Sequence, residues 1–177
     1  MTERVLVVGC GNEQAGDDGA GAALIRRLMR RPPPACTLRV CARGPLDVLE
    51  LLDAADSIVF VDAVVSGAAP GTIHLTTLPS PGVQGKLVGG ISAHGWSVVE
   101  AIDLAGALHR RIPRVFLIGI EAGQMTAGAA LSPAVERAVD YCEAHFDELR
   151  GYAERGETAM MSVATMAAQH RVLSPES

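Results

Sequence analysis

Two adjacent carboxylates, Asp17 and Asp18, stand in a glycine-rich turn directly after a short apolar run, in the segment Arg4-Val-Leu-Val-Val-Gly-Cys-Gly-Asn-Glu-Gln-Ala-Gly-Asp-Asp-Gly-Ala-Gly21. A strand ending in such a turn delivers its side chains to the place where open α/β sheets bind ligands, outside the carboxyl ends of the strands. Two further groups belong to the same kind of place: Asp62 closes Ser57-Ile-Val-Phe-Val-Asp62, and His94 lies in Ser92-Ala-His-Gly95 just before a helical run. Two carboxylates and an imidazole suit nickel, zinc or a related divalent cation, and they leave positions open for water or a substrate ligand. Taken singly, Asp18 also fits an acid at the start of a helix, and His94 a helix-start histidine. Asp62 resists such a reading, because an unpaired carboxylate at the end of an apolar strand is costly to bury.

The competing use of the turn is a phosphate or dinucleotide site. Spacing argues against it: the third glycine of Gly-x-Gly-x-x-Gly would fall at position 14, which is Gln14. The carboxylate pair would also face the pyrophosphate, and no Gly-Lys-Ser or Gly-Lys-Thr signature follows.

The elements that must position these groups alternate strand and helix. Residues 4–8 read as a strand, and residues 19–31 as a helix stopped by Pro32-Pro33-Pro34. A second strand is expected over 36–42, a short helix over 46–52, and a buried strand over 57–62. The run Thr72-Ile-His-Leu-Thr-Thr-Leu78 alternates, and its short connection from the third strand predicts an antiparallel edge strand. Residues 79–90, rich in Gly and Pro, read as a surface loop. A helix then runs to Leu108, a buried strand spans 114–119, and a long last helix opens with Ser132 as N-cap and Pro133 in the first position. The pattern predicts one domain over residues 1–150 and a C-terminal tail over 151–177 with a Met- and Ala-rich patch.

With 177 residues, the chain suffices for a single core. Aromatics make up only 3%, so aliphatic packing must supply the stability. A net charge of −5 argues against nucleic acid as a partner. The Arg26-Arg27, Arg30-Arg31 and Arg110-Arg111 clusters fall at helix ends, where cations suit the macrodipole. No run approaches the ~20 apolar residues that cross a bilayer. The opening Met-Thr-Glu-Arg lacks a signal-peptide pattern, which predicts a cytoplasmic protein without membrane insertion. Cys10, Cys36, Cys41 and Cys142 form no Cys-x-x-Cys pair and read as reduced thiols. Cys36 and Cys41, an odd number apart on one strand, should face opposite ways, and Cys10 lies within the glycine turn.

Several segments in the same order resemble the hydrogenase maturation proteases. They are Val8-Gly-Cys-Gly-Asn12 with Gly16-Asp-Asp-Gly-Ala-Gly21, Val61-Asp62-Ala63, Pro70-Gly-Thr72, Ser92-Ala-His94, Gly119-Ile-Glu121 and Leu131-Ser-Pro133. The resemblance implies a three-layer α/β fold, with a five-stranded, mostly parallel twisted sheet, one antiparallel edge strand and helices on both faces. It implies that Asp18, Asp62 and His94 bind metal. It also implies an endopeptidase that removes the C-terminal extension of a nickel–iron hydrogenase large-subunit precursor once nickel is inserted. The nickel would then be recognised in the precursor, with no organic cofactor. The nonenzymatic alternative is an accessory protein that senses nickel loading without cutting. Two departures stand out: Asp18 takes a position where many relatives carry Glu, and Cys41-Ala-Arg-Gly-Pro45 lacks the acid that relatives often show after the second strand, leaving Asp47 as its nearest substitute.

Overall fold

The computed structural model describes residues 4–41, 45–78, 98–162 and 165. β1 (Val5–Cys10) enters the glycine turn, where a single 3-10 turn at Gly16–Gly19 leads into α1 (Ala20–Leu28). There follow β2 (Cys36–Cys41), α2 (Pro45–Ala54), β3 (Ser57–Val64), β4 (Ile73–Leu78), α3 (Val98–Ala107), β5 (Arg114–Glu121), α4 (Pro133–Ala144), α5 (Phe146–Glu154) and β6 (Ala159–Met161).

These strands form one sheet in the order β2-β1-β3-β5-β4-β6. The β2, β1, β3 and β5 strands are mutually parallel, as expected of apolar runs separated by helices. β4 runs antiparallel to β5, in the register Ile73↔Ile120 to Leu78↔Val115. It is not the outermost strand, because β6 pairs antiparallel along Ile73, His74 and Leu75. This sixth strand comes from the Met-rich patch: Ala159 and Met161 pack against the core while Met160 is exposed, the alternation a strand requires. Three residues are too few for that period to stand out in the sequence.

Each face of the sheet carries its own apolar layer. Val7, Val59, Val61, Ile118 and Ile120 meet α1, α4 and α5 on one side. Leu6, Val8, Ile58, Phe60 and Leu117 meet α2 and α3 on the other. α1 and α4 are also tied by Arg27, whose guanidinium pairs with Glu136 and Asp140. The last helical stretch is two helices and not one, since His145 leaves helical geometry at φ −119° and ψ 23°. The loop expected at 79–90 lies outside the described residues.

Candidate functional site

The turn after β1 is shaped by close approach. A Cβ on Gly21, in the first turn of α1, would meet the Val61 carbonyl oxygen at 2.1 Å and that of Cys10 at 2.6 Å. Glycine there lets α1 lie against the ends of β1 and β3. Gly11 sits at φ +104°, with the Asp18 carbonyl oxygen 1.8 Å from where a Cβ would stand. The glycines thus bring backbone against backbone and leave no phosphate cradle. The carboxylates they carry are themselves buried, Asp17 at 0% and Asp18 at 1% exposure.

Adjacent in sequence, the two acids do different work. Asp17 turns toward the loop after β5: its Oδ2 accepts the N–H groups of Gly123 and Gln124, each at 2.8 Å, and its Oδ1 accepts that of Ser132 at 2.6 Å. This carboxylate is saturated and holds the β5–α4 loop in place. Ser132 does occupy the N-cap of α4, but its side chain makes no capping bond, so its N–H bond to Asp17 is what anchors the helix start. Asp18 turns back toward β1. Its Oδ2 accepts the Asn12 N–H at 2.8 Å, while its Oδ1 is buried without a hydrogen-bond partner among the described residues. It does not cap α1, where Gly19 holds the N-cap position.

The orphaned oxygen of Asp18 belongs to a cluster at the strand ends. Gly9 pairs with Val61 across β1 and β3, so the next step along both strands sets Cys10 beside Asp62. Gly119 is the partner of Asp62 on β5, and a Cβ there would meet the Val64 side chain at 2.9 Å. Asp62 is a half-buried residue whose Oδ1, among the described residues, accepts the N–H of the next residue, Ala63, at 2.9 Å. Burial of its carboxyl, reinforced by the neighbouring Asp18 charge, pushes its pKa up to about 7. A carboxylate whose proton affinity is raised by burial and by its neighbour's charge, beside a second with one buried oxygen that has no partner among the described residues, forms an electron-rich site. Such a donor set fits a divalent cation. Among the described residues no group of three His, Cys, Asp or Glu side chains is placed to hold a metal ion. His94, the third expected ligand, lies outside the described residues. α3 begins shortly after it in sequence, and Val98, its first residue, packs on the same face as Cys10.

Sequence reasoning missed a second polar centre. Glu121, 1% exposed at the end of β5, accepts the Ser66 N–H at 2.7 Å, the Ser66 hydroxyl at 2.8 Å and the Gly67 N–H at 2.9 Å. His74 Nε2 on β4 lies 2.9 Å from its other side. This carboxylate closes the loop between β3 and β4, a structural duty like that of Asp17. The histidine inside an alternating strand was the available signal, since a wet face would not have buried it to 5%.

Comparison with known proteins agrees with this architecture. The profile of the family described as hydrogenase maturation protease matches residues 26–145, a span that includes Asp62 and His94 and begins after Asp18. The hydrogenase expression/formation protein HupD of Rhodobacter capsulatus is 30% identical over 155 residues, covering 85% of this chain and 73% of the relative. Among solved structures, the hydrogenase maturating endopeptidase HybD of E. coli superposes with a TM-score of 0.69 at 21% identity, over 91% of this chain and 98% of that one. The [NiFe] hydrogenase maturation protease HybD of Thermococcus kodakarensis gives 0.64 at 25% identity, over 82% and 98%. The nucleotide-binding and nonenzymatic readings give way here, and the chain belongs to the hydrogenase maturation protease family, as an endopeptidase.

Proposed function

We propose that this protein removes the C-terminal extension of a nickel–iron hydrogenase large-subunit precursor after nickel has been inserted, using Asp18, Asp62 and His94 to engage nickel that the precursor already holds. The observation that carries the reading is the buried Oδ1 of Asp18 beside Asp62, without a hydrogen-bond partner among the described residues. A buried carboxylate oxygen with hydrogen-bonding capacity left over among the described residues suits a cation brought from outside. No thiolate belongs to this proposed trio. Three hard or borderline donors hold nickel weakly alone, so the precursor supplies the remaining ligands and the metal reports that loading is complete. Asp18, Asp62 and His94 would hold nickel there, which would supply Lewis-acid polarisation of a nearby carbonyl or of water.

The chain's own groups do the rest. Asp17 and Glu121 fix the loops around the site without entering it. Asp62 holds a proton up to about neutral pH, which it must release when a cation arrives. The same property favours a second reading, in which Asp62 serves as the acid and Asp18 as the base on the scissile peptide without a metal. We assign the reaction to the cytoplasm. No helix among the described residues is long and apolar enough to cross a membrane, and all four cysteines are free thiols.

The test is incubation of the purified protein with apo and nickel-loaded precursor, followed by intact mass measurement. Loss of the extension from the loaded precursor alone is expected, with enzyme that carries no stoichiometric metal. Equal cleavage of both precursors would reject nickel gating and favour the acid–base reading.

A further inference from the structure

Beside the carboxylates lies a pair of sulfurs that the proposed reaction does not use. Cys10 ends β1 and Cys41 ends β2, and the parallel register pairs them directly. Directly paired residues point to the same face of a sheet. Both pack on the α2 and α3 side, and the Cys10 thiol is in hydrogen-bond contact with that of Cys41. Neighbouring strands lie about 4.8 Å apart, within the span of roughly 4.4–6.8 Å over which Cα atoms are bridged by a disulfide. The other two thiols pack against the opposite apolar layer, Cys36 across from Val5 and Cys142 within α4.

Access differs within the pair. Cys10 is buried, but Cys41 is half-buried and lines a cavity of about 410 Å³ between β2 and α2 together with Arg39, Asp47 and Glu50. A small oxidant can therefore reach Cys41 first. The consequence reaches the acids through the chain itself: Cys10 adjoins Asp62, and Asn12, two residues on, donates the N–H that holds Asp18.

We propose that Cys10 and Cys41 form a reversible disulfide that switches the Asp18–Asp62 site off when the surrounding thiol pool is oxidised; the switching half rests on the function proposed above. The oxidant is a low-molecular-weight disulfide. The Cys41 thiolate attacks one of its sulfurs, forming a mixed disulfide and releasing one small thiol. Cys10 attacks Cys41 Sγ as its proton passes to the departing small thiolate, releasing the second small thiol. Two protein thiols are oxidised and one small disulfide is reduced to two thiols, so the electrons balance. Intracellular disulfides of this kind are transient and serve redox sensing. Closing the bond ties the ends of β1 and β2 together, takes the Cys10 sulfur out of its thiol contact beside Asp62, and stiffens the turn through which Asn12 holds Asp18.

The experiment equilibrates the full-length protein with graded ratios of oxidised and reduced glutathione, maps linkages by proteolysis and mass spectrometry, and assays precursor cleavage in parallel. The expected result is a Cys10–Cys41 linkage, at least tenfold slower cleavage, and full recovery with dithiothreitol. Cys41→Ser and Cys41→Ala should keep basal cleavage and lose the response to oxidation. Absence of that linkage at every ratio overturns the proposal, and linkage with unchanged cleavage overturns the switch. Linkage in a protein that cleaves no hydrogenase precursor even when reduced would instead overturn the proposed function and leave the disulfide standing.

Discussion

Asp17 and Asp18 are neighbours in sequence and opposites in environment. The first spends both oxygens on three backbone N–H groups and locks a loop, while the second keeps one buried oxygen without a partner among the described residues. The same division separates Glu121, which meets three N–H or hydroxyl donors and His74, from Asp62, which among the described residues accepts the adjacent Ala63 N–H. Burial alone therefore does not mark a reactive carboxylate. What marks it is burial with hydrogen-bonding capacity left over, because a fold that tolerates that cost gains nothing in stability from it.

The contrast breaks most sharply under isosteric neutralisation. Asp18→Asn and Asp62→Asn should each lower precursor cleavage at least about a thousandfold, equivalent to about 4 kcal/mol of transition-state stabilisation, while melting temperatures stay unchanged or rise. Cleavage followed by mass spectrometry, with a thermal melt of each variant, checks both halves. His94→Ala should match them in activity if it completes the site. Retention of normal rates by two of these three variants would sink the site assignment.

For the saturated acids the signature inverts. Asp17→Ala strands three backbone donors and should cost roughly 3–5 kcal/mol of stability in chemical denaturation, as should Glu121→Ala. Whatever fraction remains folded should still cleave. A variant of Asp17 that melts normally but is inactive would erase the distinction between the two groups.

A smaller effect sharpens the comparison through pH. The Asp62 carboxyl is raised from its ordinary 3.8 to about 7 in the folded chain. Its contribution to stability is therefore complete below about pH 4 and is lost as pH rises through about 7. Metal-free protein should lose stability between those limits, and Asp62→Asn should flatten that part of the profile in urea titrations. Cation affinity should run the other way, falling as pH drops below about 7, because the ligand must first shed its proton. An affinity constant from pH 8 to pH 5 would count against both Asp62 and His94 as ligands.

The smallest expected effect concerns His74. Replacement by Leu removes one of several partners of Glu121 and should cost about 1–2 kcal/mol with cleavage unaffected.

Much of this was legible before any coordinates. The parallel strands announced themselves as apolar runs such as 57–62, and their ends drew attention to the Asp17–Asp18 pair and to Asp62, where open α/β sheets gather ligands. Which of Asp17 and Asp18 faced the site was not legible, since the answer lies in donors from residues 123, 124 and 132 that only the folded chain brings near. The burial of His74 and its pairing with Glu121 were hidden for the same reason, being contacts across two strands. Ser132 shows the limit of a local rule: its type and place matched an N-cap, but the bond that anchors the helix comes from a distant aspartate. Cys10 and Cys41 could be placed on strands from the sequence, whereas their register required the sheet.

The three residues of β6 carry a practical corollary for anyone shortening the chain. A protein cut after residue 150 would lose the strand that pairs with Ile73, His74 and Leu75. The hydrogen-bonding edge of β4 would then be open to any extended chain it met, with the partly covered core at Tyr152, Ala159 and Met161 stripped as well. Such a truncation should self-associate through edge-to-edge pairing and precipitate during purification even though every proposed site residue is retained.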